Sequence, residues 1–394
     1  MDRRLLIIVL VLFTTFTGFG MIIPVLPDAI LAAGAKEYHL GLMLSLYSLV
    51  SLIVSPLWGS LSDRIGRKPV IFWGMLGFAA SFLLLAISGR SLFLMYASRF
   101  LGGLFSGAAI ASSVAYVADI TSEEERTKGM AYVGMAIGLG FVAGPALGGV
   151  LGSIFLALPF EVATVLSLLV ALLVAYSLTE SLPEEKRGRG EKVTWRDRLH
   201  LLQGPMAYLF TLSFLVTFTL AAIEATLFYF EAQKVGLTRL ELGWLFMIIG
   251  IVGALVQGGI VRRVKKGQES TVLIFGFLLS ALGFVLIMFS SSFWTAALYL
   301  SVFGIGNALQ RPAVTSLITQ KTPAEQGVTS GTNSAMDSLG RIIGPVVGSG
   351  LYSLNIYLPY VAGALLSLLA VVIVFLFRRL EGSRLKNLEP YHRA

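Results

Sequence analysis

Apolar residues in this chain run in long blocks rather than in stripes. The stretches 5–27, 38–62, 69–89, 129–160, 162–179, 242–261, 270–310 and 342–377 contain no Asp, Glu, Lys or Arg. A helix on the surface of a water-soluble domain keeps one polar face, whereas a helix in hydrocarbon needs about 20 mostly apolar residues and satisfies its backbone internally. The longest blocks must each hold more than one crossing. Dividing them at 88–91, 152–159, 290–292 and 353–359, and allowing crossings around lone charges, predicts twelve helices. They fall near 5–27, 38–61, 70–88, 92–118, 128–152, 159–179, 205–230, 240–261, 271–290, 294–318, 328–352 and 358–378. The pattern predicts an all-α integral membrane protein.

The order of blocks repeats. GFVAGPALGG at 140–149 and GRIIGPVVGS at 340–349 share Gly, Gly, Pro and Gly at matching places, and TSEEER (121–126) answers to KTPAEQ (321–326). Six crossings fit in that interval, so two six-helix halves of the same orientation are expected, related by pseudo-twofold symmetry about an axis along the membrane normal. The expected domains are an N-terminal bundle at 1–179, a charged cytoplasmic linker at 180–204, a C-terminal bundle at 205–378 and a cytoplasmic tail at 379–394.

Composition agrees with a lipid environment: 56% of 394 residues are hydrophobic and 13% charged. The net charge of +8 suggests nucleic-acid binding until the basic residues are placed. Of 30 Lys and Arg, Lys36, Arg90, Lys234 and Arg239 fall in loops on one side and Arg99, Arg311 and Arg341 inside helices. The rest lie in the opposite loops, the linker and the two ends. That asymmetry is the positive-inside pattern and puts both termini in the cytoplasm, with no nucleic acid required. The first block is about twice a usual signal-peptide core and ends in PVLPD without a small-residue cleavage site, so it reads as a retained helix. The chain has no Cys, and His39, His200 and His392 fall at helix ends, in the linker or in the tail. Thiolate chemistry is excluded, no metal site is expected, and a proton crossing the interior must use a carboxylate.

One charged cluster stands out, GSLSDRIGRKPV at 59–70. Topology explains its bases but needs no acid. Gly59, Asp63, Arg64, Gly66, Arg67 and Lys68 match the loop signature of the major facilitator superfamily, which the chain resembles over its whole length. GMIIPVLP (20–27) resembles the first-helix motif of the drug:proton antiporter branch. Arg99 with Gly103 partly fits the fourth-helix motif, with Gly102 where a Gln is usual, and Gly140, Gly144, Pro145, Gly148 and Gly149 reproduce the antiporter motif. Within that branch the chain is similar to Gram-positive multidrug exporters of the quinolone-resistance type. The resemblance implies that the 59–68 cluster latches the cytoplasmic side, with Asp63 paired to a base such as Arg126. It also implies that Gly140, Gly144, Pro145 and Gly148 bend a gating helix.

A charge inside a span costs about 2.5–3.5 kcal/mol on insertion scales and therefore wants a reason. Glu224 has no basic residue within nine positions on either side, so no local ion pair explains it, and burial penalises its charged form. It is the expected proton carrier. Asp337 and Arg341 are four apart and within reach of each other, as a structural pair or a functional one. Related exporters carry a second acid in the tenth helix before an Arg-Pro pair. Here the segment reads NALQRP, so Ala308 replaces the acid while Arg311 and Pro312 remain, and Asp337 is the candidate substitute. The resemblance gives Arg99 a part in proton coupling. Phe16, Phe19, Tyr47, Phe141, Phe228, Tyr229, Gln257, Asn307, Arg311 and Asn333 are the expected substrate contacts.

The sequence thus predicts a monomeric, multi-pass secondary transporter of the plasma membrane. By alternating access it would export amphipathic cationic or zwitterionic drug-like compounds against protons, driven by the proton gradient without a cofactor. Its partners are the small-molecule substrate, protons and the lipid bilayer. The alternative is an exporter of one endogenous compound, such as a siderophore, sugar or lipid, which Arg311 and Arg341 would favour if it is anionic. An enzyme or receptor lacks any supporting motif.

Overall fold

The computed structural model describes residues 2–183, 185, 187, 204–265, 267–322 and 326–388. In chain order the helices are α1 (Arg3–Ile22), α2 (Leu26–Ala32), α3 (Tyr38–Ile65), α4 (Arg67–Ala86), α5 (Leu92–Ile120), α6 (Glu123–Ile154) and α7 (Leu158–Ser177). After the linker come α8 (Pro205–Glu224), α9 (Leu227–Val235), α10 (Arg239–Gly259), α11 (Glu269–Ile287), α12 (Phe293–Lys321), α13 (Gln326–Leu354) and α14 (Leu358–Leu388). No strand occurs among the described residues. Twelve crossings result when α1 joins α2 and α8 joins α9.

Two crossings are broken where one helix was expected. The first stops at Ile22 and resumes at Leu26, ahead of Pro27, and the seventh stops at Glu224 and resumes at Leu227. The last helix runs on to Leu388, through part of the segment assigned to the tail. Most of the 180–204 linker lies outside the described residues. Ten helical segments are long and apolar enough to cross a membrane. The two crossings left out of that set, α12 and α13, are 29 residues each and carry Arg311, Asp337 and Arg341.

Helix starts follow local capping chemistry. Asp2 accepts from the Arg4 N–H, Ser91 from Leu94 N–H, and Ser292 forms a reciprocal capping box with Thr295. These contacts satisfy orphan donors at ends that face the polar boundary.

The chain divides into two compact units, Met1–Glu191 with Leu227–Gly250, and Lys192–Thr226 with Ile251–Ala394. In the first unit Ile8, Leu12, Ile71, Met75, Tyr116 and Val174 form a shared core, and in the second Leu209, Phe210, Leu273, Phe277, Val314 and Phe377 do. Trp73, Leu169, Phe275, Trp294, Leu298 and Phe375 remain exposed, as hydrocarbon contact requires.

The internal repeat reappears as packing. A methyl added at Gly140 would lie 3.0 Å from Phe13 O, and at Gly340 3.0 Å from Phe214 O. Gly144 abuts Thr17 O and Gly344 abuts Phe218 O, at 2.6 and 2.5 Å for the same added atom, while Gly148 meets Met21 O and Gly348 meets Ala222 O. The two antiporter-like motifs thus seat α6 on α1 and α13 on α8 through backbone contact that only glycine permits.

Candidate functional site

Four ionisable side chains converge in the second unit, on α8, α12 and α13. Arg311 Nη2 lies 3.4 Å from Asp337 Oδ2, and Arg341 Nη1 lies 3.9 Å from Glu224 Oε2. The pairing differs from the sequence expectation. Asp337 and Arg341 share a face of α13, yet each is paired to another helix, and Glu224 has a basic neighbour that is remote in sequence. The reason is helix registry: seating α13 on α8 through Gly340, Gly344 and Gly348 brings Arg341 beside Glu224.

The two acids are held differently. Asp337 Oδ1 accepts from the Ser213 hydroxyl at 2.9 Å and the Thr217 hydroxyl at 3.0 Å, both on α8, while Oδ2 faces Arg311. Three donors on two oxygens hold the Asp337 carboxyl group in one orientation. The Glu224–Arg341 separation exceeds hydrogen-bond length, so this pair is coulombic only. Glu224 is 12% exposed and Asp337 19%. Ala308 is buried at 5% on α12, and no carboxylate replaces it at that position.

The expected aromatic contacts of the first unit come together. Phe16 and Phe141 centroids are 5.1 Å apart, Phe19 and Tyr47 5.3 Å, and Phe19 and Phe141 5.9 Å, edge-on in the last case. Phe228 and Tyr229 sit at 5.6 Å from one another on α9, both buried. Gln257 is exposed on α10, and Asn307 Nδ2 and Asn333 Oδ1 are buried atoms without a hydrogen-bond partner among the described residues.

Arg99 is 1% exposed on α5. Its Nη2 donates to the Ser98 hydroxyl at 3.0 Å, its guanidinium lies 5.7 Å from the Phe82 ring centre, and its Nε has no partner among the described residues. A buried cation held by a hydroxyl and a ring, without a carboxylate among the described residues, is costly.

The 59–68 cluster is a network inside the first unit. Asp63 pairs with Arg67 at 2.5 Å rather than with Arg126, which is exposed. Arg67 also reaches Asp119 at 3.1 Å and the Ser62 hydroxyl at 2.7 Å. The backbone N–H groups of Arg67 and Lys68, which open α4, donate to the two oxygens of Glu180. Gly66 turns at φ +104 to allow this, whereas nothing lies within 4 Å of a methyl at Gly59. Asp119 and Glu180 were not singled out from the sequence, since each sits at the end of a distant helix.

Three further charges were missed in the same way. Glu231, counted as loop beyond the seventh crossing, is 1% exposed because α9 continues to Val235. Asp28 of α2 pairs with Arg239 at the start of α10, and Arg239 also donates to Gly152 O at 3.1 Å. Beside them α6 and α10 meet glycine to glycine, with a methyl at Gly149 placed 2.9 Å from Gly243 Cα.

The sequence model of the Major Facilitator Superfamily matches residues 8–269 and 265–393. The chain belongs to that superfamily. It is similar to multidrug resistance protein 2 of Bacillus subtilis (31% identical over 371 residues, covering 91% of this chain and 92% of the relative). Quinolone resistance protein NorA of Staphylococcus aureus is 27% identical over 395 residues, 98% of this chain and 99% of the relative. Among solved structures, the human organic anion transporter MFSD10 (TETRAN) superposes with a TM-score of 0.70 at 26% identity, covering 94% of this chain and 99% of that one. The nucleoside transporter NupG does so at 0.77 and 13%, covering 96% and 99%. This superfamily member is a multi-pass membrane transporter, and the twelve-crossing, two-half architecture is the superfamily's fold.

Proposed function

We propose that this chain is a proton-coupled antiporter that exports amphipathic cationic or zwitterionic drug-like compounds by alternating access, without a cofactor. The observation that carries this reading is Glu224, a carboxylate within a crossing whose basic neighbour stands 3.9 Å away. Ionised, it offers a cationic substrate a counter-charge; protonated, it offers none, and the nearby guanidinium then repels a cation. Substrate and proton compete for one group, and that competition couples the flows. The full-length similarity to proteins named for multidrug and quinolone resistance supports the drug-export reading. On this reading the chain is a monomer of the plasma membrane with both termini cytoplasmic. Arg99 assists proton transfer, the Asp63–Arg67 network belongs to the cytoplasmic latch, and Gly140, Gly144, Pro145 and Gly148 seat the gating helix.

The test is proton flux in proteoliposomes loaded with a pH-sensitive dye. Wild-type protein should move protons when a cationic amphipath is added, and Glu224→Gln should abolish that flux while folding survives. Substrate-induced flux that persists in a well-folded Glu224→Gln protein refutes the assignment.

A second reading, export of one endogenous anionic compound, draws on Arg311 and Arg341 and on similarity to a transporter described as carrying organic anions. Proton flux evoked by anions alone would favour it.

A further inference from the structure

Arg239 is one of the four bases that the charge pattern leaves on the outer side, so topology gives no reason for it. Its guanidinium ties three helices together. Nε donates to Asp28 Oδ2 on α2, and Nη1 donates to Gly152 O at 3.1 Å, in the last turn of α6. A carbonyl of a final turn has no intrahelical partner, so a guanidinium there satisfies it and favours the negative end of the helix dipole. Both charged side chains are partly covered, Arg239 at 36% and Asp28 at 22% exposure.

Inward of this contact α10 lies against α6 through backbone and small residues. A methyl added at Gly149 would stand 2.9 Å from Gly243 Cα, one at Gly243 2.8 Å from Pro145 O, and one at Gly250 2.6 Å from Val142 Cγ2. The contacts run antiparallel from Gly152 and Arg239 to Val142 and Gly250, about 15 Å along the helices. Gly149 belongs to this seam and not to the α1 face made by Gly140, Gly144 and Gly148, so the motif on α6 serves two neighbours. Such a surface parts without any side chain having to leave a pocket.

The Asp28–Arg239 pair is not part of the internal repeat. At an offset of 200 residues, Asp28, Gly149, Arg239 and Gly243 correspond to Phe228, Ser349, His39 and Met43, which supply neither a carboxylate nor a glycine. His39 bonds instead to Tyr96 of its own repeat, at 2.8 Å. The twofold architecture therefore does not require the pair. It joins α2 and α6 of the first repeat to α10 of the second, at the end of the helices that the charge pattern turns outward. A carrier that releases substrate outside has to part its two repeats at that end.

We propose that Asp28 and Arg239 form an outer clasp. Intact, it holds the outer ends of α2, α6 and α10 together while substrate loads from the cytoplasm, and it breaks each time substrate leaves to the outside. The glycine seam is the surface that opens once the ion pair is gone. The proposal rests on the export reading above for the direction of transport and goes beyond it by naming the residues that control outward release.

Two measurements in the full, Cys-free chain test the clasp. In Val142→Cys the new thiol lies against Gly250, so an impermeant thiol reagent reaches it from outside intact cells only when α10 leaves α6. Asp28→Asn and Arg239→Gln should each raise its labelling rate about threefold to tenfold, the loss of one partly exposed charge-assisted contact. The charge-swapped Asp28→Arg/Arg239→Asp pair should bring the rate back towards that of the parent. Either single variant decides alone if the other does not fold. Unchanged labelling in the single variants, or a rise that the swap leaves in place, overturns the clasp. The second measurement locks the pair. Asp28→Cys/Arg239→Cys, bridged by a short bifunctional methanethiosulfonate, should lose export of a cationic dye and regain it on reduction, with each single Cys variant as the control. Failure to bridge, or a bridged protein that exports as fast as the reduced one, also overturns the proposal. Failure of the export reading looks different: labelling still responds to the variants, yet no cationic dye evokes proton flux in proteoliposomes of the bridged or the reduced protein.

Discussion

Gly66 shows how one residue can be fixed by two constraints at once. Its φ of +104 lies where side chains are strained, and an added methyl would collide with Glu180 Oε2, an atom that caps the start of α4. Gly34 has a comparable φ of +75 with nothing within 4 Å of its methyl position. Gly34→Ala should therefore lose only the backbone contribution, about 1–2 kcal/mol. Gly66→Ala should lose that and the Glu180 cap as well, and thermal unfolding followed by fluorescence-detected size exclusion should rank the two in that order. The acid in this loop was legible from the sequence, because topology needs no Asp63. Its partners were not: Asp119 and Glu180 are 52 and 113 residues from Arg67, and no local spacing announces a contact of that kind. The same limit hid the Arg341–Glu224 and Arg311–Asp337 pairs. Glu224 was recognisable as a charge in the wrong solvent, but which base answers it depends on how α13 seats on α8.

That seating is a property of helices rather than of residues. Glycines spaced four apart present one face, and the sequence alone identified α6 and α13 as equivalent. It could not say that the faces meet α1 and α8, since periodicity gives a helix its stripe and not its neighbour. A test separates contact from composition. Gly144→Ala places a methyl 2.6 Å from Thr17 O and should abolish transport or folding. Gly138→Ala, nearly two turns from it on α6 with open space around the methyl, should be neutral or stabilise the helix by up to about 1 kcal/mol. Uptake of a cationic dye into inverted vesicles, normalised to expression, reads both. The breaks after Ile22 and Glu224 were invisible for a different reason. Ile23 and Val25 at the first break and Ala225 and Thr226 at the second are buried, no run of charged residues marks either, and only the first could have been suspected, from Pro24 within it and Pro27 just after it.

For the molecule as a whole, the blocks of apolar residues were sufficient to reach twelve crossings, because hydrocarbon tolerates few alternatives to a helix, and the motifs between them pointed to the superfamily. Orientation is testable in the Cys-free chain. Lys36→Cys should react with an impermeant maleimide in intact cells, and Arg126→Cys only after permeabilisation; the reverse pattern would invert the topology. Charge balance gives another test. With one proton entering per cycle, a monocation leaves without net charge movement, while a zwitterion leaves one positive charge behind on the inside. Each charge is worth about 2.3 kcal/mol per 100 mV. Export of rhodamine B, whose carboxylate makes it a zwitterion, should therefore respond to a valinomycin-imposed potential at equal pH, and export of its cationic methyl ester should respond to the pH difference alone.

The glycine seam between α6 and α10 has a consequence for biogenesis. Gly149 is made first, and Gly243, against which it closes, follows roughly ninety residues later in the chain. At about 5–20 residues per second of synthesis, the C-terminal end of α6 waits on the order of 5–20 seconds in the bilayer with its glycine face and the Asp28 carboxylate uncovered. During that interval the nascent first half is a set of inserted helices without the surface that completes it. A ribosome pause inside 180–204 would lengthen that exposure.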